Sequence, residues 1–363
     1  MNQNETLQTK PRMRYACDEL AKLAERLGAN AQLPTMVQLR DQLGVSMSTL
    51  HGAMRELERL RILHSVHGVG IFVREAKERS LTGNIGLVLH SYVRKSNSDS
   101  NSVQSLLTGI RQECLKHDLN VLLINGNEAD KAEKIDGCLF YCDKLEAYAM
   151  DIPEEMPRVL LLQHVDDFVT VSPDDFNAGR LAASFLVNKG HRRVACLMEQ
   201  SNKTDRTDNI SSQRLEGYYA GLREAGISLH PQWLKLTKKA LSSANPTYLK
   251  WGRNNMRQWL DADWQELGCT AIVVQNDHAA IGVIQTLQEA GIKVPEQVSV
   301  IGFDGTSICD LVSPRLSSVQ IPYEEIGREA IKVLCEQIQS GSHAPREITL
   351  AVSLREGDSI RSI

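Results

Sequence analysis

Three polar residues of the chain, Arg214, Asn276 and Asp304, have side chains of the types that bind hydroxyl groups. Asn276 and Asp304 each come directly after an apolar segment of the kind that forms a buried strand. Ligands of open parallel sheets bind outside the carboxyl ends of such strands. Arg214, at the start of a predicted helix, adds a rigid fork of donors. Because each buried hydroxyl left unpaired is costly, converging groups of these types suit a polyol or a sugar.

Each of these residues also has a structural interpretation. Arg214 could pair with a neighbouring carboxylate, and Asp304 could accept hydrogen bonds from loop amides. Asp277 and His278 are expected to cap the following helix rather than to touch a ligand. His191 follows a helix-terminating glycine, and we expect it to be structural.

The sequence gives little support for a metal or redox site. None of the eight cysteines forms a C-x-x-C pair, so reduced core thiols are expected. His64 and His67 have a metal-like spacing but flank a turn without further ligands. Trp233 is either a stacking platform for a ligand or a core aromatic residue. We therefore predict neither a metal nor a cofactor.

A second group of residues fits the major groove of DNA. Residues 33–73 predict two short helices joined by a tight turn and followed by a two-stranded wing. Thr35 and Gln38 form a capping box for the first helix, and Ser46 can cap the second. Twelve positions on this stretch are predicted to contact DNA: Thr35, Arg40, Ser46, Met47, Ser48, Thr49, His51, Arg55, His67, Gly68, Val69 and Gly70.

The second helix carries a buried stripe opposite its DNA face. That stripe repeats at helical spacing and consists of Leu50, Ala53, Met54, Leu57 and Leu60. A preceding helix over 12–27 is predicted to pack under the pair through Ala16, Leu20, Leu23 and Leu27. The wing strands are predicted at 64–66 and 71–73.

This stretch resembles the winged helix of GntR-family regulators, from Leu33-Pro34 to Phe72-Val73. The resemblance implies duplex operator DNA as the partner. Three positions that are usually basic in the family are here Val37, Met47 and Val69. Base contacts would then rest on Ser48, Thr49, His51 and Arg55, while Arg40 and a basic arm over Lys10–Arg14 remain for phosphates.

Beyond a polar linker at 75–84, short apolar strands alternate with helices. Such alternation implies parallel sheets covered on both faces, and the length implies two lobes. The predicted strands are 85–90, 120–125, 136–141, 158–163, 193–198, 270–275 and 298–303. The predicted helices are 102–117, 176–189, 212–225, 277–290 and 323–340.

Residues 174–197, 211–227, 270–304 and 314–334 resemble the effector domain of the lactose-repressor (LacI/GalR) family. Their motifs include N-D-x-x-A-x-G and V-I-G-F-D. The resemblance implies a two-lobed, type I periplasmic-binding-protein fold with a ligand cleft between the lobes. It implies an effector site formed by His90, Ser91, Tyr92, Gln163, Arg214, Asn276, Phe303 and Asp304.

Some segments depart from that family. Only about ten residues connect the strands that end at Asn125 and begin at Asp136, where the family usually inserts a helix. Residues 238–268 are hard to align, and the hinge helix of lactose-repressor relatives is absent. The wing and linker would have to carry the coupling instead.

Composition excludes several other classes. Residues 1–75 hold 10 Lys+Arg and 8 Asp+Glu, a net charge of +2. Since the whole chain has a formal net charge of -4, residues 76–363 carry -6. A slightly basic head on an acidic body is compatible with nucleic-acid contact at one end. We find no apolar signal region in MNQNETLQTK and no apolar run long enough to span a membrane. The sequence also lacks the dinucleotide-binding G-x-G-x-x-G after a strand, a phosphate-loop motif, the zinc-protease motif H-E-x-x-H and the nucleophile-elbow motif G-x-S-x-G. We expect a soluble, cytoplasmic protein that is not an enzyme.

The sequence therefore predicts an α/β transcription regulator, most simply a repressor and a homodimer. Its domains would be a winged helix at 1–74, the linker, and an effector-binding and dimerisation domain at 85–363. A carbohydrate is the default effector, and a purine is the alternative. Two other classes remain open: a DNA-binding factor whose sensor has lost its ligand, and a small-molecule binder that no longer grips operator DNA.

Overall fold

The chain divides into two compact units, Met1–Leu81 and Thr82–Ile363. A computed structural model describes residues 3–59, 62–66, 69–73, 81–89, 100–124, 134–141, 152–153, 155–163, 165, 168–200, 209–237 and 247–363. Of residues 3–11, 59, 100 and 209 it describes the backbone alone. The expected Leu60, His67, Gly68, His90, Ser91 and Tyr92, and the short connection before Asp136, lie outside the described residues.

The first unit is a winged helix-turn-helix, as the sequence predicted. Its helices are α1 (Gln3–Leu27), α2 (Met36–Leu43) and α3 (Met47–Arg59). The capping box of Thr35 and Gln38 is present, and Gly44 ends α2 in the left-handed region at φ 61°. Four members of the predicted stripe of α3 are buried: Leu50, Ala53, Met54 and Leu57.

Two expectations about α1 were wrong. The helix begins at Gln3 rather than at 12, so it includes the whole basic arm over Lys10–Arg14. Leu27 is 40% exposed at the helix end, and Ala24 takes the buried position one turn earlier. The helical spacing of apolar residues did not show that the buried part of α1 ends at Ala24 rather than at Leu27.

The wing consists of β1 (Leu63–Val66) and β2 (Gly70–Val73), paired antiparallel. Backbone hydrogen bonds also join residues 30–33 to β2, including Leu33 N to Ile71 O at 2.8 Å. His64 stacks on Phe72, with ring centroids 5.7 Å apart. The predicted strands are confirmed to within one residue.

The second unit contains two six-stranded sheets among the residues described, which confirms the two-lobed parallel fold. In the amino-terminal lobe the strand order is β13-β7-β6-β5-β3-β4, and all pairs are parallel. These strands are β3 (Asn84–Leu89), β4 (Asn120–Ile124), β5 (Gly137–Tyr141), β6 (Arg158–Leu161), β7 (Val169–Pro173) and β13 (Arg346–Leu350). Helices α4 (Ser100–Lys116) and α10 (Tyr323–Ser340) cover one face through a shared apolar core.

The carboxy-terminal lobe has the order β14-β12-β11-β10-β8-β9, parallel except at β14. Its strands are β8 (Val194–Glu199), β9 (Leu234–Thr237), β10 (Ala271–Val274), β11 (Ser299–Asp304), β12 (Ser317–Gln320) and β14 (Ser353–Arg355). Its helices are α5 (Asp175–Asn188), α6 (Asn209–Glu224), α7 (Tyr248–Ala262), α8 (Trp264–Leu267) and α9 (Asp277–Glu289), with short 3₁₀ turns at Pro231–Trp233 and Ser307–Leu311.

Three crossovers connect the lobes: β7 to α5, β12 to α10, and β13 to β14. Two of them are bonded to each other, because Asp174 N donates to Leu350 O at 2.9 Å. The cleft between the lobes therefore has three connections at its base.

All four tryptophans lie in one core cluster of the carboxy-terminal lobe. Trp233 is 7% exposed within this cluster, which favours its interpretation as a core residue. The cluster is completed by Trp251, Trp259 and Trp264, in the region that was hard to align. His191 is structural, as expected, with Nδ1 2.8 Å from Thr270 Oγ1 and Nε2 3.1 Å from Arg361 O.

Candidate functional site

Of the predicted DNA-contacting residues of α3, Ser48, His51 and Arg55 are exposed and Thr49 is partly exposed, whereas Met47 packs against the core of the winged helix. Ser46 Oγ accepts the Thr49 amide at 3.1 Å and lies 2.9 Å from Ser48 Oγ, so the helix start is ordered by its own hydroxyl groups. His51 and Arg55 are exposed one turn apart. These side chains form a single surface strip, and their contact with DNA stays a prediction.

Other predicted contacts have different surroundings. The Arg40 guanidinium is bound to Asp41, at 2.8 Å from Nε and 2.6 Å from Nη2, so part of its charge is already neutralised. Thr35 is exposed at the start of α2, and Val69 is 60% exposed at the wing tip. Met47 and Gly70 are partly exposed. Arg12 and Arg14 are exposed on α1.

In the sensor, Arg214 forms a buried ion pair that the sequence offered only as an alternative. It lies within α6, and its Nε donates to Asp175 Oδ1 at 2.7 Å. Both side chains are almost fully buried. Burial by itself would lower the pKa of Arg214, but the carboxylates of Asp175 and Asp304 outweigh it and raise that pKa. The guanidinium is therefore a permanent buried cation.

Two glycines bring α5 and α6 close enough for this pair to form. A Cβ atom at Gly179 would overlap the carbonyl oxygen of Arg214, and one at Gly217 would overlap that of Phe176. Because neither glycine has a side chain, the helix backbones meet directly. Asp175, at the first turn of α5, is then held beside Arg214.

The aromatic ring of Phe303 packs against the guanidinium of Arg214. Its ring centroid lies 4.7 Å from the guanidinium carbon, a cation–π arrangement. Phe303 was expected to line the effector pocket, but it is 0% exposed and its ring is covered by Arg214. Arg214 Nη1 also donates to Gln275 O at 3.3 Å. The guanidinium is thus fixed on three sides, which prepares its remaining donors for a ligand.

The cap of α9 is Asn276, not Asp277 or His278 as expected. Asn276 Oδ1 accepts the Ala279 amide at 2.9 Å. This bond uses the amide oxygen and leaves the amide nitrogen of Asn276 at the edge of the sheet.

The buried carboxylate of Asp277 instead accepts hydrogen bonds from three residues of other segments. Its Oδ1 accepts from Ser318 Oγ at 2.6 Å, and its Oδ2 accepts from Thr306 N at 3.1 Å and Cys309 Sγ at 3.2 Å. Burial, followed by the neighbouring Asp304 carboxylate, raises the pKa of Asp277 to about 7. The group ties the start of α9 to the loop after β11.

Asp304 ends β11 with φ 108°, a conformation that L-residues rarely adopt. Its Oδ1 accepts a hydrogen bond from Tyr323 Oη at 2.8 Å, and its backbone oxygen accepts from Ile321 N at 3.2 Å. No loop amide of the described residues donates to its carboxylate. Burial raises the pKa of Asp304, although Arg214 and the Tyr323 hydroxyl favour its charged form.

Arg214, Asn276 and Asp304 therefore meet at the carboxyl edge of one sheet, where the sequence predicted them. Asn276 and Asp304 keep partly accessible surface. Gln163 lies in the other lobe, 6% exposed and two residues after β6. Within the part of the chain that the structure describes, no group of His, Cys, Asp and Glu is arranged to hold a metal ion. The assignment of these residues to an effector stays a prediction.

Asp175, Gln275 and Tyr323 were not predicted as site residues. Asp175 lies 39 residues from Arg214 in the sequence, and Tyr323 lies 19 residues from Asp304. No local motif therefore predicts either contact. Asp175 comes two residues after β7, but the sequence did not predict that strand, so its position gave no signal either. Gln275 directly precedes Asn276 and donates through Nε2 to Ser211 Oγ at 3.1 Å.

A winged helix-turn-helix and a two-lobed sensor with a polar cleft edge together define a transcription regulator with a DNA-binding domain and an effector-binding domain. Residues 21–73 match the model for bacterial regulatory proteins of the gntR family. Residues 183–360 match a periplasmic binding protein-like domain. The chain thus carries a GntR-type DNA-binding domain followed by a periplasmic-binding-protein-like domain.

Similar proteins are transcription regulators as well. The HTH-type transcriptional repressor PurR of Vibrio vulnificus is 26% identical over 71% of this chain and 77% of its own length. The ribose operon repressor of Escherichia coli K12 is 27% identical over 69% of this chain and 76% of its own length. A sugar-binding LacI-family regulator from Escherichia coli, solved with phosphate, has a TM-score of 0.59 at 25% identity, covering 78% of this chain and 100% of that chain.

Proposed function

We propose that this protein represses transcription by binding operator DNA as a homodimer, under the control of a carbohydrate bound between the lobes of its sensor. The observation that carries the proposal is the meeting of Arg214, Asn276 and Asp304 at the carboxyl edge of the sheet. A cationic fork, an amide and a carboxylate offer donors and acceptors to adjacent hydroxyl groups. The relatives named as repressors support the direction of control.

The DNA side of the proposal rests on α3 and the wing. Dimerisation follows from the need to occupy two half-sites related by a two-fold axis. We also propose that the protein acts in the cytoplasm and has no catalytic activity. No helix among the described residues is long and apolar enough to cross a membrane.

Control would be a shift between two sensor states. An effector that binds one state more tightly moves the population toward it, and a difference of ~2–5 kcal/mol is enough for a useful switch. The three crossovers at the base of the cleft are the segments that must bend when the lobes move.

Titration of the full-length protein against its own promoter DNA tests the DNA-binding part. Fluorescence anisotropy at several salt concentrations should give saturable binding with a steep salt dependence, because phosphate contacts release counterions. Equal binding to an unrelated duplex would contradict specific operator recognition. A flat salt response would favour a small-molecule binder without a DNA target.

A thermal-shift panel of D-ribose, cellobiose, hypoxanthine and guanine tests the effector. A ligand present at about 100 times its Kd stabilises the folded state by ~2.7 kcal/mol, which is readily detected as a higher melting temperature. A shift with a purine alone would support the second candidate, a purine-responsive regulator. No shift in a wider panel of metabolites would favour a factor whose sensor has lost its ligand.

A further inference from the structure

The loop after β11 touches both lobes of the sensor. It follows Asp304, the last residue of β11 in the carboxy-terminal sheet. Tyr323 is the first residue of α10, which packs in the amino-terminal lobe with Leu106 and Ile110 of α4. The 2.8 Å hydrogen bond from Tyr323 Oη to Asp304 Oδ1 therefore joins the two lobes.

A second bond joins the lobes three residues further along the same loop. Asn101, in the first turn of α4, donates from Nδ2 to Ser307 Oγ at 3.3 Å. Because α4 belongs to the amino-terminal lobe, this contact also bridges the cleft. Residues 304–307 are thus held by the opposite lobe at both ends.

The same loop is firmly attached to its own lobe. Asp277 binds Thr306 through its buried carboxylate, and Arg355 Nη1 donates to Gly305 O at 3.2 Å. Gly305 N in turn donates to Ser318 Oγ at 3.0 Å. A loop fixed in this way moves with the carboxy-terminal lobe, so its bonds to Tyr323 and Asn101 respond to the angle between the lobes.

We propose that residues 304–307 form a latch that holds the sensor lobes together in the absence of ligand, through the hydrogen bonds of Tyr323 and Asn101. Asp304 is also a predicted effector contact, so the proposal rests on the function proposed above. Tyr323 occupies one oxygen of the Asp304 carboxylate and leaves the other as an acceptor. An effector that binds the other oxygen of Asp304 would therefore contact the same carboxylate that accepts the hydrogen bond between the lobes.

The Tyr323 bond is the stronger of the two. Its acceptor is a carboxylate, and hydrogen bonds to charged groups stabilise more than those between neutral groups. Asn101 and Ser307 are both neutral, and their side chains are more exposed. Removal of the Tyr323 hydroxyl is therefore expected to open the lobes more than removal of the Asn101 amide.

Cysteine cross-linking of the full-length, ligand-free protein tests the latch. The pair Asn101→Cys and Ser307→Cys is oxidised with copper phenanthroline, and disulfide formation is followed by non-reducing electrophoresis and peptide mass spectrometry. We expect rapid cross-linking, and an approximately 10-fold slower rate when Tyr323→Phe is added, since one hydrogen bond to a charged group is lost. Each single cysteine variant shows the background from native thiols.

Tyr218→Phe is the matched control. It also removes a buried hydroxyl, which donates to Val194 O at 2.6 Å, but both residues belong to the carboxy-terminal lobe. It should lower stability without slowing the cross-link. Equal rates in Tyr323→Phe and Tyr218→Phe, or no cross-link in the parent pair, would overturn the latch.

A second measurement does not need the cysteines. Small-angle X-ray scattering of Tyr323→Phe combined with Asn101→Ala should give a larger radius of gyration than Tyr218→Phe. Unchanged scattering in a folded double variant would contradict the proposal. Neither measurement uses DNA or effector, so their failure is distinguishable from failure of the proposed function.

Discussion

The side chain of Gln32 donates a hydrogen bond from Nε2 to the carbonyl oxygen of Val69, 3.0 Å away. Gln32 precedes α2, and Val69 is the exposed residue of the wing tip. A Cβ atom at Gly70 would overlap the same amide nitrogen, and Gly70 has φ 148°. The wing turn is therefore held by Gln32, a residue outside the wing.

Gln32→Ala is expected to weaken operator binding about 2–10-fold, the usual effect of one lost hydrogen bond that orders a contact surface. Anisotropy titration with promoter DNA measures this. Gln265→Ala, at an exposed position on α8 of the sensor, is the control and should bind as the parent does. If both variants bind alike, the wing does not take part in recognition.

Arg55→Ala should weaken operator binding by at least 10-fold, because Arg55 is an exposed cation on the predicted reading face of α3. Loss of a single phosphate contact would lower the salt slope by about 1, whereas loss of a base contact would relax specificity at one position. Arg257→Ala, on the sensor, is the charge-matched control. Unchanged affinity in Arg55→Ala would show that the reading face has been placed wrongly.

Asp175→Ala should destabilise the sensor by about 3–5 kcal/mol, because Arg214 would be left as an unpaired buried charge. Chemical denaturation of the full chain, followed by tryptophan emission, measures the loss. Asp358→Ala removes the partner of Arg315 in an exposed pair of the same type, at 2.7 Å, and should have little effect. Similar losses in the two variants would contradict the role given to burial.

Asp277 should contribute stability to the sensor that falls as pH rises from about 4 to 7. The pKa of Asp277 is about 7 in the folded state, above the ordinary 3.8, so the folded protein keeps a proton that the unfolded chain releases in this window. Asp304, whose pKa is also raised, acts in the same direction. Thermal melts at several pH values measure the slope.

Asp277→Asn should flatten this slope, because the amide does not titrate. Asp310→Asn, an exposed substitution in the same region, should keep it. Equal slopes in the two variants would assign the pH dependence to other groups.

Local sequence signals were sufficient for the winged helix and for most of the sensor. The capping box of Thr35 and Gln38 was predicted because both partners lie within one helical turn. Asn276 and Asp304 were located correctly because both lie at the carboxyl end of a strand of buried type: Asn276 comes two residues after β10, and Asp304 is the last residue of β11. Five strands were missed, β7, β9, β12, β13 and β14, since the polar residues within them hide them from an apolar pattern.

Contacts between distant segments were beyond such signals. Whether Arg214 faces a ligand or a carboxylate depends on α5, which approaches through the contact of Gly179 with α6. Phe303 was expected to line the effector pocket, but the Arg214 guanidinium packs on its ring and Phe303 is buried. α7 was missed because its buried tryptophans are spread over a largely polar segment, and only the core cluster explains them.

The confinement of all four tryptophans to one face of the carboxy-terminal lobe has a practical consequence for spectroscopy. Trp251 Nε1 donates to Thr237 Oγ1 at 3.1 Å, at the carboxyl end of β9, so one indole is bonded to the edge of the sheet where the predicted effector residues lie. Tryptophan emission, excited selectively over tyrosine, thus reports on this lobe alone. The melting of the winged helix and of the amino-terminal lobe is silent in such a measurement, and a single fluorescence transition does not show that the whole chain unfolds together.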